Sequence, residues 1–378
     1  MKVTTELMRC IQNNEKAVLA TIIDKNGSSY RQIGAKSLIL ENGRSYGILS
    51  GGCVEQDLFE HAKEVFENGH PKQVIYDLRN DDDAPWGLGV GCNGEITIWL
   101  SLIDPINKKF ETDKMLNIFN KKYKRTTPYT IYTVLQSSNH RLMPLGHMLE
   151  ASEIQESPNL IGLNSNSGMI THTFLINNEL VSTTLFLETI TPTPNIVIFG
   201  AGPDAIPLIQ QLKLLDWRVT VVDHRPGYLE QIQQSNVDDS ILVPPRQFPA
   251  DVDFHSNLYA VIMTHHYEQD LIYLEGLLHS EINYIGLLGP KKRFLKLKKD
   301  LEQKGISIPS KIENNIYTPI GLDIGSETPQ EIALSIVAEI MGHKNNTSNR
   351  SLKFKKDSIH IKESIPNHES RPNELVAK

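Results

Sequence analysis

Residues 196–205 read Ile196-Val197-Ile198-Phe199-Gly200-Ala201-Gly202-Pro203-Asp204-Ala205, and this stretch decides the fold of the C-terminal half. Four consecutive apolar residues predict a buried strand. The glycines and Ala205 then match the G-x-G-x-x-A turn that joins a strand to a helix in dinucleotide-binding sheets. Gly200 permits the tight turn, Gly202 lets the backbone approach a pyrophosphate, and Ala205 lets the helix pack closely. A second strand, Arg218 to Val222, runs into Asp223, 23 residues after Gly200, where such sheets place the acid that bonds a ribose hydroxyl. Gly200, Gly202 and Asp223 are therefore candidate ligand-binding residues. Pro203 removes one backbone donor that would face a phosphate, which counts against NAD(P) as the ligand without touching the topology.

Ala260 to Thr264 and Tyr284 to Leu288 read as further buried strands, with helical stretches between. Strands alternating with helices imply a parallel sheet, so residues 195–342 are expected to form a Rossmann-like, doubly wound α/β domain. Thr264-His265-His266 follows one strand; these histidines are ligands or proton carriers, or simply hydrogen-bonded strand-end residues. Lys291-Lys292-Arg293 follows another, as an anion site or a solvated helix start. A long helix is predicted from Gln330 to Met341, capped by Ser326 or Thr328. Residues 343–378 are polar, carry almost no apolar periodicity, and are expected to be a disordered tail.

Upstream, Thr191-Pro192-Thr193-Pro194 breaks both helix and strand and marks the boundary of an N-terminal α+β domain over 1–190. A helix is predicted at Thr4 to Asn13, a strand at Lys16 to Ile23, a loop over Asp24 to Ala35, and a hairpin about Asn42-Gly43. Ser50-Gly51-Gly52-Cys53 leads into a helix whose apolar residues Val54, Leu58, Ala62 and Val65 share one face until Asn68-Gly69 ends it. Strands follow at Gln73 to Leu78 and Glu95 to Leu100. Residues 104–190 read as an antiparallel extension whose role is not legible.

Three loops of this half carry candidate chemistry. Cys53 stands at the start of a helix, where free amides and the helix dipole lower a thiol pKa and suit a thiolate that binds a soft metal. Gly51, Gly52 and Glu55 flank it; the alternative is a small buried cysteine beside two glycines that serve chain geometry. Gly87-Leu88-Gly89-Val90-Gly91-Cys92-Asn93-Gly94 holds Gly91 and Cys92 where the backbone must approach something closely. Gly27-Ser28-Ser29-Tyr30-Arg31 to Lys36 offers small hydroxyls with Arg31 and Lys36 as cations for an anion, or is an ordinary exposed loop. Asp81-Asp82-Asp83 holds a divalent cation or is a solvated charge run.

Composition bounds the function. The chain has 378 residues, enough for two or three domains, with 39% hydrophobic and 22% charged residues, as in globular proteins. A net charge of -7 argues against a nucleic-acid binder. Three cysteines without an export signal argue against a disulfide framework, and the absence of a long apolar run argues against a membrane span, so a cytoplasmic protein is expected.

Taken in order, the Gly27 to Lys36 loop, Ser50-Gly51-Gly52-Cys53-Val54-Glu55 and the Gly87 to Gly94 loop resemble the N-terminal domain of the XdhC/CoxI family of xanthine dehydrogenase accessory proteins. The Gly200 to Ala205 turn, the Tyr284 to Gly289 strand and the Gly321 to Ile340 segment resemble that family's Rossmann-type domain. The resemblance implies a non-catalytic chaperone that holds molybdenum cofactor through Cys53 and supports its sulfuration by a cysteine desulfurase. It would then deliver the cofactor to an apo molybdenum hydroxylase, and would act as a homodimer. The alternative is an NAD(P)-dependent oxidoreductase that uses Gly200, Gly202 and Asp223.

Overall fold

Residues 3–27, 29–52, 54–78, 94–154, 168–249, 252, 254–255 and 257–355 are described by a computed structural model. They divide into two units, Met1–Pro192 and Thr193–Lys378.

The first unit opens with α1 (Val3–Gln12), β1 (Ala17–Gly27), β2 (Lys36–Leu40), β3 (Ser45–Tyr46), α2 (Glu55–Asn68), β4 (Lys72–Asp77) and β5 (Gly94–Ile103). The strands form an antiparallel sheet of order β3-β2-β1-β5-β4. β1 is central and its first seven residues are buried, so it reads as a continuous apolar run rather than an alternating one. It also runs on to Gly27, four residues past the predicted Ile23, because Asp24 to Gly27 pair with Gly94 to Thr97 beyond an irregularity between Ile22 and Asp24. One face of the sheet is covered by α2 through Leu58, Ala62 and Val65, and Gly69, at φ 71°, closes that helix with its amide on the Val65 carbonyl. On the other face α1 buries Leu7 and Cys10, and burial pushes the Cys10 thiol up to about 11.

The unit continues with α3 (Lys109–Asn120), β6 (Tyr129–Ser137), β7 (Met148–Glu150), α4 (Ala151–Ile154), β8 (Gly168–Ile176) and β9 (Glu179–Ile190). These strands make a second antiparallel sheet, β7-β6-β9-β8. It packs against the first through Ile23 and Trp99 on one side and Leu135 and Phe186 on the other.

The second unit alternates β10 (Asn195–Phe199), α5 (Ala205–Leu214), β11 (Arg218–Asp223), α6 (Pro226–Gln233), β12 (Asp239–Leu242), β13 (Leu258–Ile262), α7 (Tyr267–Leu277), β14 (Tyr284–Leu287), α8 (Lys291–Gln303), α9 (Ser310–Glu313), β15 (Ile316–Tyr317) and α10 (Pro329–Asn345). Every strand pair is parallel and the order is β12-β11-β10-β13-β14-β15, the doubly wound arrangement in which strand order reverses beside β10. Core residues of α5 and α10 fill one face and those of α7 and α8 the other. Thr328 begins α10 with a reciprocal capping box to Glu331, and the helix runs to Asn345, past the predicted Met341.

Candidate functional site

In an open α/β sheet, ligands collect outside the carboxyl ends of the strands. At that edge Gly200 takes φ +116°, and a Cβ there would lie 2.6 Å from the carbonyl oxygen of Met263. The turn therefore packs directly against the chain leaving β13, which is why glycine is required.

Asp223 is almost fully buried at the end of β11, and both of its oxygens are engaged. Oδ2 accepts the Ala201 amide at 2.7 Å and Arg225 Nη2 at 2.7 Å; Oδ1 accepts the Arg225 amide and Nε, each at 2.9 Å. Burial opposes the charged carboxylate, but the Arg225 side chain and the Ala201 and Arg225 amides outweigh it and hold the pKa below the ordinary value. Arg225 in turn lies over the Tyr228 ring, 4.1 Å from its centroid. The acid thus latches the glycine turn to its own strand end.

The N-cap of α5 is Asp204, which makes no side-chain cap hydrogen bond; its Oδ2 sits 2.7 Å from Nε2 of His265, a residue held at φ +60°. His266 caps α7, its ring accepting the Gln269 amide. Thr264 donates to Asp270 Oδ1 at 2.5 Å, and Arg293 reaches Asp270 Oδ2. Of the basic cluster, Arg293 is therefore structural, while Lys291 and Lys292 are exposed at the start of α8.

In the first unit the turn before α2 is organised by Glu55. Its carboxylate accepts the amides of Leu49 at 3.2 Å, Ser50 at 3.0 Å and Gly52 at 3.0 Å, and the Ser50 hydroxyl at 2.5 Å. Ser50 Oγ also accepts the Val54 amide at 3.1 Å. Burial opposes the charge on Glu55, yet the Ser50 hydroxyl and the surrounding amides hold its pKa below the ordinary value. The Leu49, Ser50 and Gly52 amides of this turn are thus committed to Glu55, and that of Val54 to Ser50. Gly51 and Gly52 both take positive φ, and among the described residues no atom lies within 4 Å of a Cβ built on Gly52.

Tyr30, on the loop between β1 and β2, packs against Gly51 and so brings this loop to the turn. Arg31 is exposed and makes no side-chain hydrogen bond or ion pair among the described residues. Lys36, by contrast, is committed: its Nζ lies 2.5 and 2.6 Å from the two oxygens of Glu188 on β9 and 3.1 Å from the Gly34 carbonyl.

Gly200, Gly202 and Asp223 therefore converge at one sheet edge; Gly51, Gly52, Glu55 and the Arg31 loop converge at another place, in the other unit. Cys53, Gly91, Cys92 and Asp81 to Asp83 lie outside the described residues. Among the described residues there is no group of three or more His, Cys, Asp or Glu arranged for a metal ion. Residues that spacing did not single out are Arg225, Glu188 and Tyr30. Only Arg225, two positions past the ribose-type acid, carried a local signal.

Together the two units define a Rossmann-domain protein whose N-terminal α+β unit presents a glycine turn at a helix start. Family models described as "XdhC and CoxI family" and "XdhC Rossmann domain" match residues 10–77 and 196–340, and the chain belongs to the XdhC and CoxI family. It is 33% identical over 343 residues to a protein of Bacillus subtilis (strain 168) named as a probable xanthine dehydrogenase subunit, covering 89% of this chain and 96% of that one. Escherichia coli (strain K12) supplies a shorter match, the molybdenum cofactor insertion chaperone PaoD, 31% identical over 94 residues, 25% of this chain and 28% of PaoD. A crystal structure described as a xanthine dehydrogenase from Bacillus halodurans superposes with a TM-score of 0.70 at 28% identity, covering 93% of this chain and 98% of that one.

Proposed function

We propose that this chain is a non-catalytic accessory protein that binds molybdenum cofactor, supports its sulfuration by a cysteine desulfurase, and delivers it to an apo-hydroxylase of the xanthine dehydrogenase type. Homodimeric assembly in the cytoplasm completes the reading. The observation that carries it is the Gly51-Gly52 turn before α2, braced from within by Glu55, with no described atom within 4 Å of a Cβ on Gly52. Membership of the XdhC and CoxI family, and the likeness to PaoD, supply the ligand class.

The residues present fit such a group. Cys53 would hold the molybdenum as a thiolate at the start of α2, where the helix dipole favours negative charge. Arg31 would take the pterin phosphate through its guanidinium fork. When bound, the cofactor supplies the metal centre that the client enzyme uses; the chain's own residues only hold and orient it. Glu55 keeps the turn rigid without offering its amides to the ligand. Gly91 and Cys92 would close the same site from their loop, and Lys36 would support it by anchoring the Arg31 loop through Glu188.

The experiment is expression with molybdenum cofactor available, followed by assay of bound molybdenum and pterin. The wild-type chain should carry both, and Cys53→Ala should lose molybdenum; full retention by Cys53→Ala removes the thiolate role. An oxidoreductase reading is disfavoured because Asp223 spends both carboxylate oxygens on Ala201 and Arg225, leaving none for a ribose.

A further inference from the structure

Tyr30 is 54% exposed, although part of its ring rests on Gly51, where a Cβ would meet Cδ2, Cγ and Cε2 at 3.5 to 3.7 Å. A single exposed aromatic residue needs no explanation on a protein surface. Three neighbouring features set this one apart. Ile48, three residues before Gly51, is a second large apolar side chain left 50% exposed at this turn. Arg31, next in the chain, has a guanidinium with no partner among the described residues, whereas Lys36 is held by Glu188. The Ser29 hydroxyl donates to the Arg31 carbonyl at 2.7 Å and ties the loop back on itself. The surface beside the Gly51-Gly52 turn thus combines a flat ring with an uncommitted, planar cation.

We propose that Tyr30 and Arg31 form a two-point recognition surface for a planar heteroaromatic ring bearing an anionic tail, the ring stacking on Tyr30 and the tail pairing with Arg31. Aromatic rings stack on fused heterocycles with little regard to their edges, while a guanidinium fork matches phosphate. The inference rests on the cofactor-binding reading above and goes beyond it, because it assigns recognition of the ring, not only of the phosphate, to this loop.

The test uses the full chain and neopterin monophosphate as the probe, with inorganic phosphate as the ring-free control, monitored through pterin fluorescence. Tyr30→Ala should weaken binding roughly five- to hundredfold and abolish the quenching at saturation, whereas Tyr30→Phe should retain both. Arg31→Gln should weaken the probe and flatten the salt dependence of its binding. Phosphate should compete only at far higher concentration than the probe. Equal affinity and equal quenching in Tyr30→Ala, with the wild type still copurifying with molybdenum and pterin, overturns this inference alone. A wild type that carries neither molybdenum nor pterin and does not bind the probe overturns it together with the function proposed above. Ring-dependent binding lost in Tyr30→Ala, in a protein that carries no molybdenum, supports the recognition surface and sinks the metal-delivery reading.

Discussion

Lys36 and Glu188 meet across 152 residues of chain, the ammonium touching both carboxylate oxygens with each side chain only about an eighth exposed (13% and 12%). The pair fastens the loop that carries Tyr30 and Arg31 to β9 of the second antiparallel sheet. The second antiparallel sheet thereby clamps the candidate ligand loop from outside the sheet that bears it. Removing one partner strands a largely buried charge. Glu188→Ala should therefore cost about 3 kcal/mol in urea unfolding, and Lys36→Met with Glu188→Leu should recover most of it. Equal stability of Glu188→Ala and wild type rules the clamp out.

Glu55 is expected to govern both the stability and the acid response of its turn. Glu55→Ala leaves the Leu49, Ser50 and Gly52 amides without their acceptor and should cost roughly 1–3 kcal/mol. The folded carboxyl titrates below its ordinary value of 4.5, so its contribution is complete above that pH and is lost as the pH falls through the folded value. Unfolding midpoints followed from pH 6 down to pH 3.5 should thus decline less steeply in Glu55→Gln than in wild type. Parallel curves would show that the carboxylate adds nothing in its charged form.

The two glycines of the C-terminal turn should respond differently to alanine. At Gly200 the new methyl meets backbone on the far side of the turn, the Met263 carbonyl at 2.6 Å, and φ is positive; a loss of about 3 kcal/mol or more is expected. At Gly202 the obstacle is the Asp204 side chain, Oδ1 at 2.6 Å, which can rotate away at the expense of its contact with His265. Thermal melts should place Gly202→Ala well above Gly200→Ala, and the reverse order would contradict the packing described.

Titration with NADH or NADPH should give no saturable fluorescence change at micromolar concentrations. Asp223→Asn should not create binding either, because the side chain is the latch of the glycine turn and its partial loss loosens the loop. Micromolar affinity in the wild type would restore the oxidoreductase reading.

Much of this was legible from residue order, and the illegible part has a common cause. The strand, Gly200, Gly202 and the place of Asp223 followed from local spacing, as did the helix after Gly52 and its stop at Gly69. Spacing shows where an acid stands but not which donor reaches it first, so Arg225, two positions on, gave only a local hint that it is the partner of Asp223. The extension of β1 to Gly27 depended on a strand some seventy residues away, and Glu188 on a residue in a different sheet. The Ser50 and Gly52 amides looked available because a carboxylate a few positions downstream gives no sign, in one dimension, that it folds back onto them. Tyr30 is a surface residue whose neighbour across the gap, Gly51, belongs to another loop.

The sealed position of Cys10 makes the protein convenient for covalent probing. A sulfhydryl that is wholly shielded, with its pKa pushed up to about 11, will not be alkylated in the native state, so any iodoacetamide uptake at neutral pH is confined to the other two cysteines. Mass spectrometry of the intact chain, with and without cargo, can then follow Cys53 and Cys92 without any background substitution.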